Sequence, residues 1–405
     1  MKAAILRADL FVFTTLEFIF FSVVPNRMSE CKGNSSDGSD DDEFVDAQDS
    51  FVESVSAVEE VQDGEEESDE LDTSEGFQDV PSLEEGLKTA TESLNLFLAN
   101  KFDKAVKRSA AGREKSMYHS ISYSTITSLQ AMMTLCATDV QAALEAAKKS
   151  VNVSKRFRRK QSVLAWKKQP YTQEELHAEL IFAEGLLLHA VLTFLEDENL
   201  VSFVKAALKI RRCYLAYQEC HKLIGKVKFS SEKEKAHFES GVRLGYGVFN
   251  VLLSMLPPRI MNLLEFVGFS GNREVGFKEL DIGLNIEDGL RTPICWLAVL
   301  SYDLVAVYAF GLTDKDLRRS EQILQRALAK YPDSVMFLFF RAKYEQVCGR
   351  FYSAIEYYEK AIQCQAQWEQ FHHLVCIILI FFTRLFYALF VLVFLGRNGD
   401  SFHVV

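Results

Sequence analysis

Proline is scarce in this chain. Only seven are present in 405 residues. Five of them (Pro170, Pro257, Pro258, Pro293 and Pro332) bound long proline-free blocks, the largest being 82–169 and 171–256. Turn-rich all-β folds need proline and glycine as punctuation, and 20 glycines with seven prolines do not supply it. Runs of alternating β-branched residues are missing as well, which removes the main strand signal. Eight cysteines are present, but none forms a Cys-x-x-Cys pair. This argues against a zinc ribbon or thioredoxin-type site, and the length excludes a small disulfide scaffold. Catalytic signatures are also lacking: no Gly-x-x-x-x-Gly-Lys-Ser/Thr loop, no Gly-x-Gly-x-x-Gly, no Gly-x-Ser-x-Gly and no His-Glu-x-x-His. The expectation is a non-enzymatic protein with no cofactor and no metal.

Phenylalanine is abundant, at 32 residues, and charge is unevenly placed. From Asp37 to Asp79 there are 19 acids and no base, so without that tract the net charge moves from −11 to about +8. A mildly basic body therefore carries a strongly acidic arm. Residues 31–80 are expected to be disordered, because dense like charge with little apolar surface cannot offset chain entropy. Phe44, Val45, Phe51, Val52, Val55 and Val58 among the acids fit either a short interaction segment or a solvating tail. Residues 1–30 form an apolar leader of uncertain role. Lys2 and Arg7 precede an apolar run from Leu10 to Val24, as in a signal peptide or anchor, but no small-x-small cleavage pattern follows. Irregular cysteine spacing and the acidic arm point to the cytoplasm.

From residue 82 the pattern becomes helical. Leu87, Ala90, Leu94, Phe97 and Leu98 recur at intervals of three and four. Capping boxes open at Ser82, Thr172 and Ser231, each with Glu three residues on. The pattern predicts helices over 83–99, 103–114, 117–136, 139–150, 173–195, 199–224, 232–255, 276–285, 293–310, 314–330, 334–347 and 351–365, with a short one near 258–266. A basic loop is expected at 155–168. Gly271 is expected to relieve a positive φ in a tight turn after Ser270.

A repeat stands out at the C-terminal side. Ser320, Leu324, Ala327, Leu328 and Pro332 lie 34 residues before Ala354, Tyr358, Ala361, Ile362 and Ala366. That period with small–large–small residues is the tetratricopeptide pattern. In the clearest unit, 334–367, Phe340 and Tyr344 supply the apolar face of the first helix. Gly349 turns the chain, Ala354 and Ala361 let helices approach, and Tyr358 fills the hole between neighbouring pairs. Asn100-Lys-Phe102, Ala105 and Ser109 are a looser echo. The fold expected is all-α: a tetratricopeptide-like array of helical hairpins over 81–373, with the disordered acidic arm before it.

The segment Leu256-Pro-Pro-Arg-Ile-Met-Asn-Leu-Leu-Glu-Phe-Val-Gly-Phe-Ser-Gly-Asn-Arg273 resembles the tetratricopeptide repeat protein 39 family. Lys155-Arg-Phe-Arg-Arg-Lys160, His177-Ala-Glu179, Asp197-Glu-Asn199 and Trp368-Glu-Gln-Phe-His-His-Leu374 add shorter matches. The likeness runs from about residue 83 to 374. It implies a helical-repeat scaffold without known catalysis, related to fungal proteins linked to inclusion-body clearance and lipid droplets, with some members tied to lipid and sterol control. Family members continue with further repeats, whereas here 374–405 reads as an apolar variant tail.

The function expected is a protein–protein interaction scaffold or adaptor, with lipid or sterol homeostasis implied by the resemblance. Partners would be other proteins in the repeat groove, and Arg341 and Lys343 are candidates to hold acidic peptide ends. A nucleic-acid role is not expected, since the basic run 155–168 is interleaved only by Phe157 and Trp166. Its alternatives are a solvated loop, an import or anionic-surface signal, or a seat for the acidic arm. His372 and His373 are adjacent and point about 100° apart on a helix, so they chelate poorly. Cys213 and Cys220 read as buried thiols. The competing function is a membrane-anchored helical protein. Leu374 to Leu395 is apolar except for Thr383, Arg384 and Tyr387. As a helix it is long enough to span a bilayer, to cap the last repeat instead, or to be an ending never selected to fold.

Overall fold

The computed structural model describes residues 80–134, 136–159, 170–196, 200–255, 271–309, 312 and 316–364. The apolar leader, the acidic arm, the short helix expected near 258–266, the paired histidines and the apolar tail all lie outside the described residues. Every regular element among the described residues is helical. In order these are α1 (Leu83–Leu98), α2 (Phe102–Ala110), α3 (Met117–Thr134), α4 (Ala137–Phe157), α5 (Gln173–Glu196), α6 (Leu200–Leu223), α7 (Glu232–Ser254), α8 (Arg273–Leu284) and α9 (Thr292–Ser301). A π-helical turn, Tyr302–Ala306, follows α9 and leads into a last short turn, Val307–Ala309. Then come α10 (Leu317–Lys330), α11 (Val335–Val347) and α12 (Phe351–Gln363).

All three capping hydroxyls are used, at α5 in a full capping box. Glu85 N–H donates to Ser82 Oγ at 3.2 Å, and Glu234 N–H donates to Ser231 Oγ at 3.1 Å. At α5 the exchange is reciprocal: Glu175 N–H donates to Thr172 Oγ1 at 3.2 Å, and Thr172 N–H to Glu175 Oε2 at 2.8 Å. Each satisfies donors that a helix start leaves unpaired.

The chain divides into two compact units. Among the described residues one comprises 80–97 and 101–299, the other 98–100 and 300–364. In the first, consecutive helices pack in hairpins, and α5 touches α3, α4, α6 and α7. Leu176, Leu180, Ile181 and Ala183 of α5 are wholly buried. The stretch Gln173–Thr193 is long and apolar enough to cross a membrane by length and composition alone. Its place among four neighbours accounts for that composition, because a helix covered on all sides is apolar all round. In the second unit Ala342, Ala327 and Ala361 are wholly buried, and Ala354 nearly so. Asp303, fully buried on the π turn, receives Arg319 Nη2 at 2.9 Å and Ser320 Oγ at 3.1 Å. The interruption of the helix expected over 293–310 is thus the point where α10 is anchored.

Three expectations are corrected. The helix expected to end at 150 runs on to Phe157, and Arg158 and Arg159 then fold onto α5. The basic run is therefore not a free loop at its start. The helix expected from 276 begins at Arg273, because Asn272 caps it by accepting from Val275 N–H at 3.0 Å. Gly271 does not have positive φ; a Cβ there would lie 2.5 Å from Leu253 Cβ, so close approach is what requires glycine.

The α7–α8 contact depends on the same property. A Cβ at Gly276 would stand 2.9 Å from the Gly247 carbonyl oxygen and 2.9 Å from Val251 N, so two backbones touch there. Gly276→Ala is expected to push the helices apart and to lower stability by about 1–3 kcal/mol, the usual cost of overpacking. Urea denaturation of both proteins checks this; an unshifted midpoint would remove the close-contact account.

Candidate functional site

The residues singled out in the sequence cluster in the second unit. Arg341 Nη1 lies 2.9 Å from Glu321 Oε2 on α10, and its Nη2 2.6 Å from Glu345 Oε1 on its own helix. Its guanidinium also sits over Tyr344 and Tyr357. Lys343 is 9% exposed, its Nζ donates to Gln346 Oε1 at 3.5 Å, and burial holds its pKa down to about 8. Both cations therefore work inside the repeat. Phe340 and Tyr358 are buried, the latter 6.1 Å from the Phe339 ring. Tyr344 is half-buried, while Pro332 and Gly349 are exposed, Gly349 with φ +77°. That left-handed turn lets α11 hand over to α12.

A polar centre that the sequence did not disclose lies within the first unit. Arg291, just before α9, is 4% exposed. It grips Glu184 of α5 through both arms, Nε to Oε1 at 2.9 Å and Nη2 to Oε2 at 2.5 Å. Its Nη1 reaches the Tyr118 hydroxyl at 3.4 Å. That hydroxyl shares a 2.5 Å hydrogen bond with His177 Nδ1. Nearby, Leu290 N–H donates to His237 Nδ1 at 3.1 Å and Arg291 N–H to Ser240 Oγ at 3.2 Å. Burial first, then the Arg291 charge, holds His177 down to about 3 and His237 down to about 4. Burial pushes Tyr118 up to about 12. A Tyr–His–Arg–Glu constellation resembles acid–base machinery. Here Tyr118 and His177 are wholly buried, and their partners are side chains of neighbouring elements. The arrangement is a helix clamp.

A shallow groove of about 820 Å³ is open to solvent among the described residues. One face of α8 lines it through Glu274, Phe277, Lys278, Asp281 and Ile282, with Asn285 just past the helix end, at spacings of three, four, seven, eight and eleven. Ile286 extends this side, and Glu239 of α7 forms the other. The opposite face of α8, with Gly276, Leu280, Gly283 and Leu284, is buried. Beneath the groove Glu279 accepts from Arg243, and His221 Nε2 lies 3.0 Å from its Oε1. Arg243 Nη2 in turn reaches Glu239 Oε1 at 2.9 Å, fixing the groove wall. Desolvation opposes charge on Glu279, yet these two partners hold its carboxyl below the ordinary range. Among the described residues no group of three or more His, Cys, Asp or Glu side chains could hold a metal ion. Cys213 and Cys220 are buried thiols with raised pKa, Cys213 donating to the Ala183 carbonyl at 3.1 Å.

Comparison with known proteins gives one consistent result. The family model for Iml2/Tetratricopeptide repeat protein 39 matches residues 91–389. The Caenorhabditis elegans protein named Tetratricopeptide repeat protein ttc-39B is 36% identical over 290 residues, covering 69% of this chain. The chain spans about half the length of that relative, the matched part being 50% of it. No solved structure matches.

The histidines of the clamp give it a pH signature. Their folded pKa values lie below the ordinary 6.5, so the unfolded chain takes up protons first as pH falls. Stability is complete above about 6.5 and declines as pH falls towards about 4 and 3. Down to about pH 5 few ordinary carboxylates titrate, and each histidine can cost up to about 2 kcal/mol there. The urea midpoint should fall between pH 7 and pH 5, and the fall should shrink in His177→Gln/His237→Gln. An equal fall in both proteins would refute the assignment.

Proposed function

The chain belongs to the Iml2/tetratricopeptide repeat protein 39 family, and on that footing we propose that it is a non-catalytic protein-interaction scaffold holding a partner in the α7–α8 groove. The observation carrying this reading is the two-faced α8. Its glycine face is buried in the body, while its other face lines a groove whose apolar residues Phe277, Ile282 and Ile286 are only half-buried. Helical repeat arrays bind through such extended surfaces, with the scaffold fixed and the exposed positions setting the choice of partner.

Two finer readings go with this. Lipid or sterol homeostasis is the setting we favour, on the family resemblance alone, with the scaffold acting in the cytoplasm. A membrane-attached form is the competing reading. It rests on the apolar run Leu374 to Leu395, where Arg384 near the middle opposes insertion by about 2.5–3.5 kcal/mol. Carbonate extraction separates them: release into the supernatant excludes insertion.

A photo-crosslinking side chain at Ile282 of the full chain, expressed in cells, should capture a discrete protein. The same group at Lys148, exposed on α4, should not. Identical capture at both positions, or none at Ile282, would reject the groove as the scaffold's working surface.

A further inference from the structure

We infer that the α7–α8 groove takes a basic, amphipathic peptide segment of a partner protein, an inference that rests on the scaffold reading. The groove combines two chemistries. Its apolar part is Phe277, Ile282 and Ile286, each half-buried and in contact with water on its open side. Its charged part is acidic: Glu239, Glu274 and Asp281 against the single base Lys278. Glu287 and Asp288, both exposed, follow directly after Ile286 and extend the same sign.

Glu239 already receives Arg243, so its charge is partly met from within the fold. Glu274 and Asp281 are exposed, one helical turn on either side of the Phe277–Lys278 pair. Lysine or arginine on the ligand would face these two, and its apolar residues would cover Phe277 and Ile282. The apolar contact supplies the affinity, while the carboxylates supply orientation and reject acidic segments and phosphate backbones. This complementarity selects a cationic peptide over a nucleic acid.

Two residues of the chain's own basic run are engaged elsewhere. Arg158 Nη2 lies 2.8 Å from Glu179 Oε2 and stacks on Phe182. Arg159 Nη2 lies 2.8 Å from Glu175 Oε2 and sits over Tyr171. Both guanidiniums are held by α5 and the residues just before it, and neither lies in the groove. On the scaffold reading, the occupant we commit to is a segment of another protein.

The test uses the full chain and synthetic peptides. A labelled peptide with leucines at helical spacing and lysines between them is titrated by fluorescence anisotropy. It is compared with the same peptide carrying Glu for every Lys, and with one carrying Ser for every Leu. The basic peptide should bind tightest, and binding should weaken as salt rises. Glu274→Lys/Asp281→Lys should weaken the basic peptide by about tenfold and improve the acidic one. Ile282→Asp should weaken the basic peptide as well. Thermal melts of each variant confirm that these exposed or half-buried positions leave the fold intact; Glu274→Gln/Asp281→Asn replaces any variant that melts early. Equal binding of basic and acidic peptides, or unchanged affinity in the charge-altered variants, would overturn the inference. Should the crosslinker at Ile282 capture an acidic or neutral segment, the scaffold reading stands and this one falls; should it capture nothing, the scaffold reading itself falls.

Discussion

The first unit turns on a single ion pair. Arg291 and Glu184 lie 2.5 Å apart at their closest, with side chains only 5% and 15% exposed. Desolvating two charges is expensive, and such a pair adds little net stability over apolar residues of the same shape. What it adds is position. Arg291 can satisfy its donors only where Glu184 of α5, Tyr118 of α3 and the polar atoms of α7 meet. A shifted helix would leave a buried charge unpaired, which costs more than the pair gains. The pair therefore specifies one packing of α3, α5, α7 and the entry to α9.

That specification reaches the groove through a short path. The residues between α8 and α9 are pinned at both ends. Thr292 Oγ1 donates to the Ile286 carbonyl at 2.9 Å, and Trp296 Nε1 donates to the Leu284 carbonyl at 3.1 Å. The end of α8 is thus tied to the start of α9, whose position Arg291 sets. At the other end Asn272 caps α8 and its N–H donates to Asn250 Oδ1 of α7 at 3.1 Å. Between them Gly247 and Gly276 bring the two backbones together. A groove wall held at its start, middle and end is preorganised, so a ligand does not bear the cost of ordering it.

Much of the fold was legible because it rests on local rules. Capping boxes at Ser82, Thr172 and Ser231 need only a hydroxyl and a glutamate three residues apart; all three hydroxyls accept from that glutamate's N–H, and at Thr172 the full box forms. Helical period and the shortage of proline gave the all-α class and most helix positions. What escaped was long-range. Arg291 and Glu184 are 107 positions apart, and nothing local marks either as buried. Arg341 and Lys343 read as groove cations because basic residues on a repeat's first helix face that way in the pattern. Glu321 and Glu345 hold the first, and burial encloses the second. The π turn at Tyr302 was invisible for a related reason: it is set by Asp303 reaching Arg319 and Ser320, not by a breaker in the sequence.

The α7–α8 pair also separates the residues that hold the fold from those that face solvent. The packing of α8 is carried by Gly276, Leu280, Gly283 and Leu284 on one face, and by Glu279 beneath the surface. None of these forms the open side of the groove. Glu274, Phe277, Lys278, Asp281 and Ile282 do, and none of them carries the α7–α8 backbone contact. Substitutions on the open side change charge and shape towards solvent, where stability effects are small. On the buried side, a Cβ at Gly276 meets backbone within 3 Å, and one at Gly283 meets the Cys295 sulfur at 2.9 Å. The two sets interleave along twelve residues yet act on different free energies, one on folding and one on association. Under the scaffold reading we propose, partner choice would drift while the array stays fixed, and repeat periodicity identifies the array far more readily than any ligand.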